Sequence, residues 1–110
     1  MSDAEKAEVL FQKIQGSVFD PVCNLCHSGE TPAQGLDFSA AFSRSVIGMP
    51  STERSDLLIV KPGDPDSSYL IWKLEGRPGI EGQRMPWGMM PLPEEQIRMF
   101  REWIRLLGAN

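Results

Sequence analysis

Apolar residues recur at helical spacing over the first twenty positions of the chain. From Asp3 to Phe19 they return at about every fourth position, while lysine and glutamine lie off that side. This period predicts an amphipathic helix over 3–19. Pro21 is expected to end it, because proline lacks an amide N–H and clashes with the preceding turn. The positions assigned to the buried side are Val9, Leu10, Ile14, Val18 and Phe19.

The most regular pattern lies near the other end of the chain, where a helix is predicted over about 93–107. Pro93 suits its first helical position, and Glu94 and Glu95 lie where the helix dipole is positive. Gly108 is expected to terminate it. Its apolar stripe is predicted to contain Ile97, Phe100, Ile104 and Leu107.

Between these two helices, turn residues interrupt the pattern. Short helices are predicted over 39–47 and over 68–74, the second ended by Gly76. The Gly/Pro-rich stretches 28–35 and 76–91 are predicted to be loops. The chain is therefore expected to be all-α, with about four helices and long loops in a single domain over residues 1–110.

Charge and hydropathy restrict the classes of partner. The 110 residues carry a net charge of -4 with a pI near 4.9, whereas proteins that bind nucleic acid present basic patches. No apolar run approaches the ~18–20 residues that a membrane-spanning helix needs. The charge argues against nucleic acid as a partner and is compatible with a carrier that docks on a basic protein surface. No transmembrane segment is expected in this sequence, and the chain is expected to be a monomer.

The strongest local signal is the pentapeptide Cys23-Asn24-Leu25-Cys26-His27. C-x-x-C-H is the attachment signature of c-type haem. Its spacing lets two thiols form thioether bonds with the two vinyl groups of one haem, and the histidine that follows is then held under the iron as an axial ligand. The chain has two cysteines and one histidine, and all three lie in this pentapeptide.

Two other interpretations of the same residues are weaker. A structural zinc ion normally takes four Cys or His ligands, and the chain offers three. A thioredoxin-like dithiol is expected among alternating strands and helices, and the sequence lacks that pattern. Haem attachment is therefore the favoured chemistry.

A second axial ligand is expected from methionine, whose thioether is a common partner of histidine on haem iron. Three of the six methionines, Met85, Met89 and Met90, lie in the loop before the last helix. Met85 is favoured because Pro86 restricts its backbone to extended conformations. Met49, Met89 and Met90 remain alternatives.

The order of these features resembles the class I c-type cytochromes. In that family a helix, C-x-x-C-H, intervening loops and a Met-Pro pair precede a terminal amphipathic helix. The chain departs from the family pattern at Pro93, where a serine or threonine cap is usual, and at Met49, which creates a second Met-Pro pair. The end of the chain looks like a bacterial monohaem branch of that family, whose tail reads RMPxG…PL…EEQI…WI…GA. The matching residues are Arg84-Met85-Pro86-Trp87-Gly88, Pro91-Leu92, Glu94-Glu95-Gln96-Ile97, Trp103-Ile104 and Gly108-Ala109.

The resemblance implies a cytochrome c fold around one covalently bound haem, and an electron carrier rather than an enzyme. Cys23 and Cys26 would attach the haem, and His27 and Met85 would ligate its iron. The His27 Nδ1–H is expected to donate to a backbone carbonyl near Pro32. Leu36 is expected to pack on the haem face, and the candidate donors to the haem propionates are Arg84, Trp87, Tyr69 and Trp72. The crossing of the first and last helices would use Gly16, Phe19, Phe100 and Trp103.

The expected partners are a redox donor and a redox acceptor with basic docking surfaces. Haem is attached to this motif outside the bacterial cytoplasm, so the resemblance implies a periplasmic or otherwise exported protein. Residues 1–6 are polar and no apolar segment follows them, which implies a signal peptide removed ahead of this sequence. The alternative functions are an open-site haem enzyme, a gas or redox sensor, and an electron-entry domain of a larger redox protein.

Overall fold

The computed structural model describes residues 1–25, 27, 33–86 and 88–108. Within these residues it contains three α-helices and no β-strand: α1 spans Asp3–Ile14, α2 spans Tyr69–Glu75 and α3 spans Glu94–Leu107. Short 3-10 turns lie between the helices. The described part of the chain is therefore mostly helical, as expected for an all-α protein.

The first helix begins and continues as its sequence predicts. Ser2 and Glu5 form a reciprocal capping box at its start, in which each side chain accepts a hydrogen bond from the backbone N–H of the other. After Ile14 the chain continues as a π-helical turn over Gln15–Phe19. The predicted helix over 3–19 is thus confirmed as a helical segment, although its last turn is wider than an α-helical one.

The buried side of α1 differs from the predicted one. Val9 was assigned to the core, but its side chain is exposed, and Ala7 and Phe11 are buried instead. Leu10 is half-buried. Val9 precedes Ile14 by five residues, which places the two about 140° apart around the helix axis. The prediction for Val9 is therefore wrong, because spacing of five does not keep two residues on one helix face.

Helix α3 carries the predicted apolar face with a small shift. Pro93 is the N-cap, with an extended ψ of 147°, so the helix begins one residue later than predicted, at Glu94. Leu107 is only half-buried, whereas Leu106 is buried. The residues that α3 buries are Ile97, Phe100, Trp103, Ile104 and Leu106.

The two shorter helices predicted from the sequence have different outcomes. Helix α2 is present, and Gly76 ends it in the left-handed conformation with a φ of 68°, as predicted. The helix predicted over 39–47 is wrong, because only a 3-10 turn over Ser43–Val46 forms there. Ile47 leaves the helical conformation and forms an isolated β-bridge with Val60, a long-range pairing that the local sequence does not reveal.

Helices α1 and α3 pack through aromatic side chains. The ring of Phe11 lies 5.4 Å from that of Trp103, and the ring of Phe19 lies 5.6 Å from that of Phe100. This confirms Phe19, Phe100 and Trp103 as residues of the helix packing. Gly16 does not contribute a close approach, since it is exposed and a Cβ built on it would meet nothing within 4 Å.

The close backbone approach lies elsewhere, between Gly63 and Gly108. A Cβ built on Gly63 would stand 3.0 Å from the Cα of Gly108, and a Cβ built on Gly108 would overlap the Gly63 backbone. The Gly63 N–H donates to the carbonyl of Ile104 at 2.8 Å. The end of α3 is therefore fixed against the turn that leads into α2. In the described residues, no helix is both long and apolar enough to span a membrane.

Candidate functional site

A largely apolar cavity opens beside the packed helices. Its volume is about 260 Å³, and the free space between its walls, including the open mouth, is about 1180 Å³. Ligand sites are clefts lined mostly by apolar side chains, with a few polar groups among them. The walls come from the π-helical turn, from α2 and from described residues of the ranges 22–27, 33–38 and 85–92. Their apolar residues include Val18, Leu36, Phe38, Ile59, Leu74 and Leu92.

His27 lies on this wall with its imidazole fixed by backbone groups. Its Nδ1 is 2.8 Å from the carbonyl oxygen of Ala33, which confirms the expected acceptor in the loop near Pro32. Because a carbonyl only accepts, Nδ1 is the nitrogen that bears the proton in the neutral imidazole, and Nε2 is then the nitrogen that can bind a metal. The His27 N–H donates to the Cys23 carbonyl at 2.9 Å, and the His27 carbonyl accepts from Phe38 N–H at 2.7 Å.

Cys23 lies on the same wall, one turn before His27. It begins a 3-10 turn over Cys23–Leu25 and is half-buried. Burial raises the pKa of the Cys23 thiol to about 12, so the thiol is protonated at neutral pH in the chain described here. Leu25 is 65% exposed at the cavity mouth. The second predicted attachment residue, Cys26, lies outside the described residues.

Two of the four methionines considered as axial ligands line the cavity. They are Met85, which is half-buried, and Met89, which is 47% exposed. Met90 is 86% exposed, and Met49 packs against the hydrophobic core. Neither of them is among the described residues that line the cavity. The backbone N–H of Met85 donates to the Lys73 carbonyl of α2 at 2.9 Å, which ties the preferred candidate to a helix.

The remaining predicted site residues are divided between the cavity and its surroundings. Leu36 and Tyr69 line the cavity. Arg84 does not, since its side chain extends over Gly76 and its Nε donates to the Leu74 carbonyl at 3.0 Å. Trp72 is also outside the lining, and its Nε1 donates to the Asp66 carbonyl. Trp87 lies outside the described residues.

The sequence reasoning missed a polar cluster at one end of the cavity. Lys73 and Glu53 form an ion pair of 3.2 Å, and the Tyr69 hydroxyl donates to the same Glu53 oxygen at 2.9 Å. Burial is the largest cause of a raised pKa for Tyr69, and its bond to Glu53 adds to it. Ser51 also lines this end, and its hydroxyl accepts from the backbone N–H groups of Glu53 and Arg54.

One signal could have located Lys73 before the structure was known. The short helix α2 is apolar around most of its circumference, which is typical of a buried helix, and Lys73 is its one basic residue. A lysine in such a helix is expected to need a buried partner. That Glu53 is this partner could not be predicted from the local sequence, because Glu53 lies in a loop twenty positions before Lys73.

Within the part of the chain that the structure describes, no three His, Cys, Asp or Glu side chains lie close enough together to hold a metal ion between them. Comparison with known proteins gave no match to a protein family, to a curated protein or to a solved structure.

Proposed function

We propose that this chain is an electron carrier of the class I c-type cytochrome kind, with one haem attached to Cys23 and Cys26. One observation carries the proposal. His27 and Met85, predicted as axial ligands from distant parts of the sequence, line the same apolar cavity. The cavity also holds the thiol of Cys23 and the predicted contact residue Leu36.

The residues present fit a haem group in polarity and donor chemistry. The cavity walls are mostly apolar, as a largely apolar macrocycle requires. His27 has its proton fixed on Nδ1, so Nε2 is available to iron, and Met85 offers a thioether. When bound, haem supplies reversible one-electron exchange between ferric and ferrous iron. The chain would supply the ligands, the tethers and the exclusion of water, and a thioether opposite an imidazole raises the reduction potential.

The polar groups of the cavity decide which of them could meet the haem carboxylates. Arg84 is occupied with the Leu74 carbonyl at 3.0 Å, Lys73 is paired with Glu53, and the Tyr69 hydroxyl donates its proton to the same carboxylate. The Ser51 hydroxyl also lines the cavity, and it accepts from two backbone N–H groups while its own proton can still be donated. Of these side chains, we therefore assign a propionate contact to Ser51. The same proposal implies an exported, periplasmic protein with redox proteins as its partners.

The decisive experiment is production of the chain with the c-type haem maturation machinery, followed by mass spectrometry under denaturing conditions. We expect the intact chain to carry one haem that acid-acetone does not extract. Cys23→Ala should retain haem through a single thioether or lose it. Ser17→Ala is a matched control near the motif, because the Ser17 side chain is exposed and bonds only the Lys13 carbonyl in the described structure. Haem that leaves with acid-acetone would refute covalent attachment.

The same preparation separates a carrier from an open-site enzyme or sensor. With Met85 as the sixth ligand, ferrous protein should bind carbon monoxide slowly, since the thioether must first leave the iron. Rapid carbon monoxide binding or peroxide turnover by the wild-type protein would instead indicate an open iron site.

A further inference from the structure

The buried polar cluster of Glu53, Tyr69 and Lys73 makes contacts that reach beyond the cavity. Lys73 is 6% exposed, and besides Glu53 its Nζ donates to the backbone carbonyl of Glu81 at 2.7 Å. The Tyr69 hydroxyl accepts from the Glu81 N–H at 2.9 Å while it donates to Glu53. Both backbone groups of Glu81 are therefore held by side chains of α2.

Glu81 begins the segment 81–85, which leads to Met85. This segment contains no helix or strand, so its path depends on such contacts. It is also fixed at its far end, where Met85 N–H donates to the Lys73 carbonyl at 2.9 Å and Arg84 Nε donates to the Leu74 carbonyl at 3.0 Å. Lys73 thus holds both ends of the segment, one with its side chain and the other with its backbone.

A buried ion pair is a poor explanation of stability by itself, since removing two charges from water offsets much of their attraction. A buried charge that is hydrogen-bonded in one geometry does select that geometry. Here the selected arrangement is the path of residues 81–85. A change in this path would move Met85 and would therefore affect any group that the Met85 thioether binds.

We propose that the Glu53–Tyr69–Lys73 cluster positions the Met85 segment, residues 81–85, and thereby keeps the Met85 thioether at the cavity wall. The inference rests on the proposed function for the role of Met85 as a ligand. Lys73 and Tyr69 are positioning residues in this scheme, and their effect on the iron passes through the backbone of Glu81 and Met85.

The test compares loss of methionine ligation with loss of the whole fold. In urea, the far-red band of ferric methionine ligation reports the first, and the helical circular dichroism signal reports the second. Lys73→Leu removes the ammonium and adds no group that can ligate iron. We expect Lys73→Leu to lose the far-red band at a clearly lower urea concentration than the helical signal, with a wider separation than in the wild-type protein.

Arg101→Gln is the matched control. Arg101 forms ion pairs with Glu75 and Asp66 and so joins α3 to the region of α2. In the described structure it forms no hydrogen bond or ion pair with residues 81–85. It should lower both midpoints together. If Lys73→Leu also shifts both midpoints equally, or shifts neither, the positioning role is refuted.

Two further measurements keep the test decisive. Tyr69→Phe removes only the hydroxyl that bridges Glu53 and Glu81, so it gives the same comparison if Lys73→Leu does not fold. Amide exchange at Met85 N–H should be about tenfold faster in either variant, because local opening of the segment becomes easier. This exchange can be followed with or without haem. Unchanged exchange would overturn the inference, whereas absence of covalent haem from the wild-type protein would overturn only the proposed function.

Discussion

At the scale of single residues, the two proposed axial ligands are held in different ways. His27 is fixed by hydrogen bonds within the stretch from Cys23 to Phe38, so its orientation is a local property. Met85 depends on contacts with α2, which lies a loop away in the sequence. The orientation of His27 is therefore set by its own stretch of the chain, whereas the position of Met85 depends on how its segment packs against α2.

Replacement of Met85 tests the identity of the sixth ligand. Met85→Ala should abolish the far-red methionine band, lower the reduction potential and let ferrous iron bind carbon monoxide readily, since a position on the iron becomes open. Met90→Ala is the control, because Met90 is 86% exposed and should not affect the spectrum. Met89→Ala should also change little. A variant pattern in which Met89→Ala loses the band and Met85→Ala keeps it would assign the ligand to Met89.

The contact that the sequence predicts well is one that depends on near neighbours. The carbonyl acceptor of His27 Nδ1 lies in the same short stretch as the pentapeptide, whereas the haem chemistry of Cys23 and His27 stays a prediction. Lys73 and Glu53 were missed because their pairing depends on how a loop and α2 meet. Arg84 was considered as a propionate donor on chain position alone, and its hydrogen bond to the Leu74 carbonyl could not be read from the sequence.

At the scale of elements, the contact of Gly63 with Gly108 fixes how α3 ends. Gly108→Ala would place a methyl group into the backbone of Gly63, which cannot move aside like a flexible side chain. We expect the free energy of unfolding in urea to fall by about 1–3 kcal/mol, the usual range for overpacking. Gly16→Ala is the control, because that position is open. It should leave stability unchanged or raise it by up to about 1 kcal/mol through helix propensity. Equal effects of the two substitutions would contradict the close contact.

A ring of ion pairs also joins the elements. Arg77 and Arg101 each contact both Asp66 and Glu75, and so connect the turn before α2, the end of α2 and α3. Hydrogen bonds from Arg77 and then Arg101 lower the pKa of Asp66 to about 2, from an ordinary value of 3.8. A lowered pKa means that the ionised form is stabilised in the fold.

The consequence is a defined acid sensitivity. The contribution of Asp66 is complete above pH 3.8 and is lost as the pH falls towards about 2. The effect should be modest, because the carboxylate is 65% exposed and therefore screened by water. In thermal unfolding, the wild-type melting temperature should decline more steeply in this window than that of Asp66→Asn. Parallel curves for the two proteins would exclude a stabilising role of the Asp66 carboxylate.

The elements themselves show where periodicity is sufficient. The long segments 3–19 and 94–107 have enough turns for the helical period to be read, and both form. The segment 39–47 is short, and its last residue pairs with Val60 instead. Gly76 was correctly predicted to end α2. Pro93 was predicted to be the first residue of α3, but it lies just outside that helix as its N-cap.

For the whole molecule, the packing of α1 on α3 and the cavity are two sides of one continuous core. The aromatic contacts of Phe11 with Trp103 and of Phe19 with Phe100 are made between helical segments and need no bound group. The two sides meet where the ring of Phe19 lies 4.6 Å from that of Phe38, which lines the cavity. The other cavity walls come largely from loops and α2. In the proposed function, a cofactor would fill the cavity side of this core and couple its binding to the stability of the loops.

Net charge is also a property of the whole molecule, and it affects the rate at which the protein associates with a charged redox partner. The chain carries a net charge of -4, so a basic partner is attracted over a distance that salt shortens to about 8–10 Å near physiological ionic strength. In stopped-flow measurements of the haem-loaded protein, electron transfer with a basic redox protein should slow as salt is added. An uncharged small-molecule reductant is the control, and its rate constant should stay nearly constant. A rate with the basic protein that is independent of salt, or that rises with it, would contradict docking on a basic surface, because screening can only weaken an attraction between opposite charges.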